Sequence, residues 1–278
     1  GYQRSSHGVS AVVIAEKDGQ MERDYDYSSA VFEADLDGAE KVGQSAAKRT
    51  LERLGASKAK TGKFPVIYDR RVAASLVGSV AGAINGASVA RGTSFLKDRL
   101  GEKIAADGLN FIDDPLRSRG MGSRPFDAEG CPVQTRKMIE DGVLNSWFLD
   151  LASAAKLGLT TMGNAKRSLG SAPNPGSSNF YLENGAIDRD DLIADIEDGF
   201  FVTELIGSSV DMITGDYSRG AGGFWISNGK IAQPISEATI AGNLKDMLLA
   251  VTRANDIDMR DSIASPSLRV DGMTVAGS

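Results

Sequence analysis

Short runs in which apolar and polar residues alternate are interrupted by an Asx-Gly pair and then resume, and this happens four times along the chain. Val12-Val13-Ile14-Ala15 leads through Asp18-Gly19 to Met21-Glu22-Arg23, and Lys137-Met138-Ile139 leads through Asp141-Gly142 to Val143-Leu144 and Trp147-Phe148-Leu149. Phe224-Trp225-Ile226 passes Asn228-Gly229 into Lys230-Ile231-Ala232, and Leu268-Arg269-Val270 passes Asp271-Gly272 into Met273-Thr274-Val275. Asn-Gly and Asp-Gly tolerate the positive φ that a tight turn requires, so each site predicts an antiparallel hairpin. Together they predict sheets built mainly of antiparallel pairs.

Helical spacing is less frequent. Over residues 38–54, Val42, Ala46 and Leu54 fall near one face, with Lys41, Lys48, Arg49 and Glu52 elsewhere. A second helix is predicted from Arg71 to about Ala87. Its Val72, Ala73, Ala74, Leu76, Val77, Val80, Ala81 and Ile84 are apolar nearly all round, which predicts a buried helix. Residues 190–197 and 244–253 are shorter candidates. Strands and helices do not alternate as a doubly wound fold requires, so the class is α+β: mostly antiparallel sheets with hairpins, a buried apolar helix and a few surface helices. Two stretches rich in Gly, Pro and Arg, residues 113–131 and 163–179, predict loops long enough to be either functional or disordered.

Composition narrows the function classes. With 278 residues, 41% of them hydrophobic, the chain can bury a core without disulfides. It carries 31 Lys and Arg against 37 Asp and Glu, a formal charge of −6, which argues against an extended basic face and so against direct nucleic-acid binding. No apolar run approaches the roughly 20 residues that span a bilayer, and no basic-then-apolar leader opens the chain, so no membrane partner is expected. The single cysteine, Cys131, cannot form an internal disulfide, in keeping with a cytoplasmic location. The start, Gly1-Tyr2-Gln3, lacks an initiator Met, as in a fragment or a processed chain.

Catalytic chemistry is scarce. A catalytic zinc normally takes three protein ligands that include imidazoles or thiolates, and this chain supplies one histidine, His7, and one cysteine. His7 lies in the polar stretch Arg4-Ser5-Ser6-His7-Gly8 and reads as strand-flanking rather than as a base for a nucleophile. Cys131 has no local activating partner and reads as a packing residue. Asp113-Asp114 and Asp127 with Glu129 have the form of paired carboxylates that can hold different pKa values, against the simpler reading of solvated or capping acids in a polar loop. The run from Thr214 through Gly215, Asp216, Tyr217, Ser218, Arg219, Gly220, Ala221, Gly222 and Gly223 to Phe224 and Trp225 places glycines before an aromatic strand. Such a run lets another backbone approach closely, and an exposed edge here would pair with an extended peptide. The alternative is a turn in which Asp216 caps local amides and Arg219 pairs with a carboxylate. The Trp147-Phe148 and Phe224-Trp225 pairs read as core rather than as a base-stacking platform.

Several longer motifs carry a family resemblance. Ala15-Glu16, Asp18-Gly19 and Met21-Glu22-Arg23-Asp24-Tyr25, then Pro125-Phe126-Asp127-Ala128-Glu129-Gly130, Thr214-Gly215-Asp216-Tyr217-Ser218-Arg219-Gly220 and Glu237-Ala238-Thr239-Ile240-Ala241-Gly242-Asn243-Leu244-Lys245-Asp246-Met247 closely resemble the TldD/PmbA family, on its PmbA (TldE) branch. The resemblance spans essentially the whole chain. It implies that residues 1–60 form the end of the family's N-terminal region and 61–278 its C-terminal domain, with a further N-terminal domain in family members. It also implies a cytosolic complex of TldD and TldE subunits that cleaves unfolded peptides, among them a microcin precursor and an antitoxin, in a family first named as a modulator of DNA gyrase.

The TldD branch carries a helical His-Glu-x-x-x-His motif that can hold zinc, whereas the corresponding helix here reads Val77-Gly78-Ser79-Val80-Ala81-Gly82. A thiolate ligand of that branch has no equivalent around Ser262-Ile263-Ala264-Ser265. The expectation is therefore a non-catalytic subunit that binds no cofactor, paired with a zinc-bearing TldD-like partner and acting on unfolded peptides. No residue is assigned to catalysis or metal binding, and Asp216, Tyr217, Arg219, Gly220, Phe224, Trp225, Asp127 and Glu129 are the candidate channel or interface positions. A stand-alone homodimer that binds peptides or proteins, and a metal-free hydrolase, are the competing readings.

Overall fold

The structure, a computed structural model, describes residues 1–207 and 210–277. In chain order the elements are β1 (His7–Lys17), β2 (Gln20–Ala30), α1 (Ala39–Glu52), β3 (Gly62–Tyr68), α2 (Arg70–Ala83), α3 (Gly86–Ala90), β4 (Phe111–Asp113), β5 (Arg136–Glu140), β6 (Val143–Leu144) and α4 (Leu151–Leu157). There follow β7 (Ala165–Lys166), β8 (Asn174–Pro175), β9 (Phe180–Leu182), α5 (Arg189–Ala194), β10 (Asp198–Ile206), β11 (Asp216–Ser227), β12 (Lys230–Asn243), α6 (Leu244–Ala250), β13 (Val251–Arg253), β14 (Ile263–Ala264) and β15 (Leu268–Gly277). The class is α+β with mainly antiparallel pairing, as the periodicity predicts.

Three of the four predicted hairpins form. At the first, Lys17 pairs with Gln20 across Asp18 and Gly19, both at positive φ, so the turn matches the twist of its strands. One face of β1–β2 lies under α1, whose Val42, Ala46 and Thr50 are buried; the other leaves Val12 and Ile14 exposed, beside Met21 and Tyr25.

The main sheet closes on itself. Its order is β12-β11-β10-β3-β15, and β12 also pairs with β15, so five strands form a ring, with β13 added to β15. Alternation on β10 divides the core: Phe200 and Val202 join the large cluster with Tyr68, Trp225 and the buried stripe of α2, while Phe201 packs with Ile67, Leu192 and Ile193 under α5. Each such fully buried side chain contributes roughly 1.5–3 kcal/mol of transfer free energy, so both clusters matter to stability.

The structure departs from the periodicity at several points. Asp271-Gly272 is not a hairpin turn: β15 runs through it, pairing with β3 on both sides, with a register shift between Val270 and Met273. The positive φ of Gly272 serves a bulge instead. The helix predicted over 71–87 ends at Ala83, because the Asn85 side chain accepts from Ala87 N and Ser88 N and starts α3. It is also not buried all round: Ala73, Leu76, Val77, Val80 and Ala83 are buried, whereas Ser75, Gly78 and Ser79 are half-buried and Gly82 is exposed. Trp147-Phe148-Leu149 is buried but forms no strand, and residues 251–253, predicted helical, pair with β15. Both long loops are ordered, with hydrogen bonds that tie one to the other.

Candidate functional site

The exposed side of α2 faces β14. Asp69 caps the helix by accepting from Arg71 N at 3.0 Å, and the buried stripe turns Gly78 and Gly82 away from the core. A Cβ at Gly78 would lie 3.9 Å from Ile263 Cδ1, and one at Gly82 would lie 3.2 Å from Met212 Cε. The fold thus brings together the two segments, 77–82 and 262–265, that the resemblance singles out. The hydroxyls there are committed to the backbone: Ser75 donates to Val72 O at 2.7 Å, Ser79 to Ser75 O at 3.0 Å and Ser265 to Pro266 O at 2.8 Å. Zinc takes imidazole, thiolate or carboxylate. Glycines, apolar side chains and hydrogen-bonded serines do not fit it, and among the described residues no group of three His, Cys, Asp or Glu side chains is placed to hold a metal ion. His7 lies on β1 and Cys131 in the loop before Pro132.

β11 leads from a turn anchored beside α2 into the ring. Val210 bridges to Tyr217, and Met212, two residues on, is the side chain that touches Gly82. Asp216 accepts from Thr214 Oγ1 at 2.8 Å and Asn243 Nδ2 at 3.0 Å, which hold its pKa below the usual carboxylate value; Asp211, not Asp216, accepts from the local amides. Tyr217 and Ala221 are buried in the large core, and Arg219, which lies between them, pairs in register with the fully buried Ile240. Successive strand positions alternate, so Arg219 projects from this inner face. It is half-buried, its Nε has no acceptor, and among the described residues it makes no ion pair. The expected carboxylate partner is not there. Tyr217 is 2% exposed, and its hydroxyl lies beside that of Tyr68 without a well-formed hydrogen bond. Tyr68 donates to Met273 Sδ at 3.3 Å, and burial, followed by the neighbouring Tyr217, pushes its pKa up.

The glycines of β11 serve the ring itself. A Cβ at Gly223 would overlap the Phe201 carbonyl oxygen, and Gly220 packs against Ile206. From Gly220 onward the strand is flanked by β10 and β12, so the close backbone is a neighbouring strand and the predicted exposed edge is absent there. Trp225 is core: its Nε1 donates to Asp198 Oδ1 at 2.8 Å, and its ring meets Phe64 edge-on.

Phe224 faces outward into a cleft of about 940 Å³ between α1 and the ring, lined also by Arg49, Arg70, Arg71, Phe201 and Asp256. At its back Arg53, 5% exposed, meets Glu204 at 2.5 Å, Glu22 at 3.2 Å and Asp24 at 3.7 Å. Arg71 also holds Asp24, at 3.0 Å. Burial, with Glu204 and Glu237 nearby and Arg53 opposing, raises the Glu22 pKa. Nothing in the motif pattern marks Arg53, because its partners come from two distant segments.

Asp127 and Glu129 are not brought to β11. Asp127 accepts from the amides of Glu129, Cys131 and Ala165 at 2.9, 2.9 and 3.0 Å, and Glu129 accepts from Leu151 N at 2.8 Å. They brace the two long loops. Asp113, offered by the sequence either as one of a carboxylate pair or as a solvated or capping acid, is 1% exposed and accepts from Ser178 N at 2.6 Å and Ser178 Oγ at 2.9 Å. Burial outweighs these bonds and pushes its pKa up to about 6.

A closed sheet with α2 and β14 packed side by side defines an α+β scaffold, and sequence comparison gives the family. The pattern described as PmbA/TldA metallopeptidase C-terminal domain matches residues 61–277, and that of the central domain matches residues 1–54. The chain belongs to the PmbA/TldD metallopeptidase family. It is 44% identical to the metalloprotease PmbA of Escherichia coli O157:H7 over 278 residues, all of this chain and 60% of the relative. The crystal structure of a putative modulator of DNA gyrase from Bacteroides thetaiotaomicron superposes with a TM-score of 0.88 at 33% identity, over 98% of this chain and 60% of that one. TldE from Thermococcus kodakarensis shares the fold, with a TM-score of 0.87 at 23% identity over 98% of this chain and 63% of that one. The chain therefore spans about 60% of the length of the relatives it matches.

Proposed function

We propose that this chain is a non-catalytic, TldE/PmbA-type subunit of a cytosolic TldD/TldE metallopeptidase that cleaves unfolded peptides. Zinc and the water-activating base belong to a TldD-like partner, and this chain walls the chamber and limits access to extended substrate. The observation that supports this reading is the α2–β14 face, where the two segments stay packed together while their side chains are glycine, small or apolar, and the Ser79 and Ser265 hydroxyls are already bonded to carbonyls. On such a face a scaffold is retained without a ligand set. Of the candidate positions on β11, Tyr217 lies nearest this face, bridged by Val210 to the turn whose Met212 meets Gly82.

The test is reconstitution. Purified alone, the chain is expected to hold no stoichiometric zinc and to cleave no peptide, and to restore or enhance cleavage when mixed with a TldD-type subunit. Tight zinc together with robust cleavage by the chain alone would refute the proposal. A stable homodimer that binds peptide and ignores the TldD-type subunit in light scattering would favour the stand-alone binding reading.

A further inference from the structure

We infer that the inner wall of β11 is a carboxylate-binding site, in which the Arg219 guanidinium and the Tyr217 hydroxyl, with Tyr68 beside them, receive a carboxylate of an extended peptide. This deepens the peptide-handling reading above and rests on it for the class of ligand.

The argument starts from donors without acceptors. A guanidinium carries five N–H groups and no lone pair to offer, so in a half-buried position it is stable when carbonyls, carboxylates or water take those protons. Arg219 has its Nε shielded from solvent without an acceptor and, among the described residues, no carboxylate in ion-pairing range. Arg53, on the outer side of the same ring, meets three. The Tyr217 hydroxyl is buried with only the Tyr68 hydroxyl beside it and no hydrogen bond of good geometry, and the Tyr68 hydroxyl is turned to the Met273 sulfur. Asp216, the nearest acid in sequence, lies on the opposite face of the strand, tied to Thr214 and Asn243. The wall is thus rich in protons and poor in lone pairs.

A ligand complementary to such a wall is an anion with planar paired oxygens, which the guanidinium fork takes in two parallel hydrogen bonds. The setting favours a peptide carboxylate over a polyanion: the chain has a formal charge of −6 and the remaining walls here are Ile240, Ala221 and Ala238, so one charge is matched and several are not. The site lies next to the α2–β14 face, because the turn that feeds β11 rests on Gly82 through Met212 and bridges to Tyr217 through Val210. A peptide lying along that face would bring either its C-terminal carboxylate or an acidic side chain to Arg219.

The experiment measures fluorescence anisotropy of short labelled peptides at fixed ionic strength, with the chain alone and with the chain mixed with a TldD-type subunit. One pair of peptides ends in a free carboxylate or a C-terminal amide; a second pair, both amidated, carries an internal Asp or Asn. The carboxylate form of at least one pair is expected to bind at least about tenfold more tightly than its neutral counterpart, and the pair that shows the difference identifies the source of the carboxylate. Arg219→Met and Arg219→Gln should bring that ratio close to one while leaving the melting temperature and the affinity for the neutral peptide unchanged, and Tyr217→Phe should reduce it. Equal binding of acid and neutral peptides, no binding of any peptide in either setting, or a preference that survives Arg219→Met overturns the inference. Failure of the two subunits to associate defeats the subunit reading alone, since the preference is also read on the isolated chain.

Discussion

Arg53 and Arg219 sit on opposite sides of one ring of strands and are treated in opposite ways. Arg53 closes the seam between the β1–β2 unit and the ring, with Glu22 and Asp24 from one side and Glu204 from the other. Gly222 makes room for it: a Cβ there would lie 3.0 Å from the guanidinium. Arg219 faces inward with donors to spare. The first arrangement spends every charge on holding the two parts of the chain together, whereas the second keeps a charge in reserve. The difference separates an arginine that the fold needs from one that the fold tolerates.

Breaking the seam should have the largest effect. Arg53→Met leaves Glu22, Asp24 and Glu204 crowded without their shared cation, and loss of one partner of a buried ion pair costs about 3–5 kcal/mol, toward the lower end here because Glu204 is partly exposed. Denaturant unfolding should show this loss, and adding Glu204→Gln to the Arg53→Met background should recover part of it, a coupling that a double-mutant cycle reads directly.

A third buried charge, Asp113, sharpens the contrast because neutral groups hold it. Its folded pKa of about 6 lies above the ordinary aspartate value of 3.8, so between those values the unfolded chain loses the proton while the folded chain keeps it. Stability from this group is therefore full below about pH 4, falls as pH rises, and is flat above about pH 6. The shift is worth about 3 kcal/mol. Asp113→Asn removes the dependence, so the stability of the variant relative to the parent should rise by about that amount from pH 4 to pH 7, as measured by urea midpoints across that range.

A half-buried acid should matter less. Asp198→Ala deprives the Trp225 indole of its acceptor and frees Lys60, at a cost of about 1 kcal/mol, visible as a lower denaturant midpoint and altered tryptophan emission. Arg219→Met should be the smallest of all, within about 0.5 kcal/mol of the parent or slightly stabilising, because an apolar chain of similar length replaces an unpaired charge. A loss as large as that of Arg53→Met would mean that Arg219 is a structural residue after all.

What the sequence conveys depends on how local the cause is. The turns at Asp18-Gly19, Asp141-Gly142 and Asn228-Gly229 are legible because two residues set the φ angles and the alternation on each side sets the register. Asp271-Gly272 carries the same signal and produces a bulge, because whether the flanking segments pair with each other or with β3 is decided far away in the chain. The stop of α2 before Asn85 is only half legible: an Asn followed by Gly and small residues is a capping signal, but the apolar pattern runs on through it. At the site, the motif containing Asp216, Tyr217 and Arg219 stands out as a block, yet its sequence does not reveal that Arg219 meets no carboxylate among the described residues and leaves its Nε without an acceptor. The role of Arg53, and the burial of an Asp113 that the sequence offers only as one of a carboxylate pair, stay hidden for the same reason: partners at positions 22, 24, 204 and 178 become neighbours through the topology alone.

The pairing of β15 with β3, β12 and β13 has a consequence for biosynthesis. The strand that completes the ring is the last of the five to leave the ribosome, so until it arrives β3 and β12 each present an uncovered row of amides and carbonyls. A nascent chain would then be most prone to aggregate before β15 emerges, and least so once residues 268–277 have docked against β3 and β12.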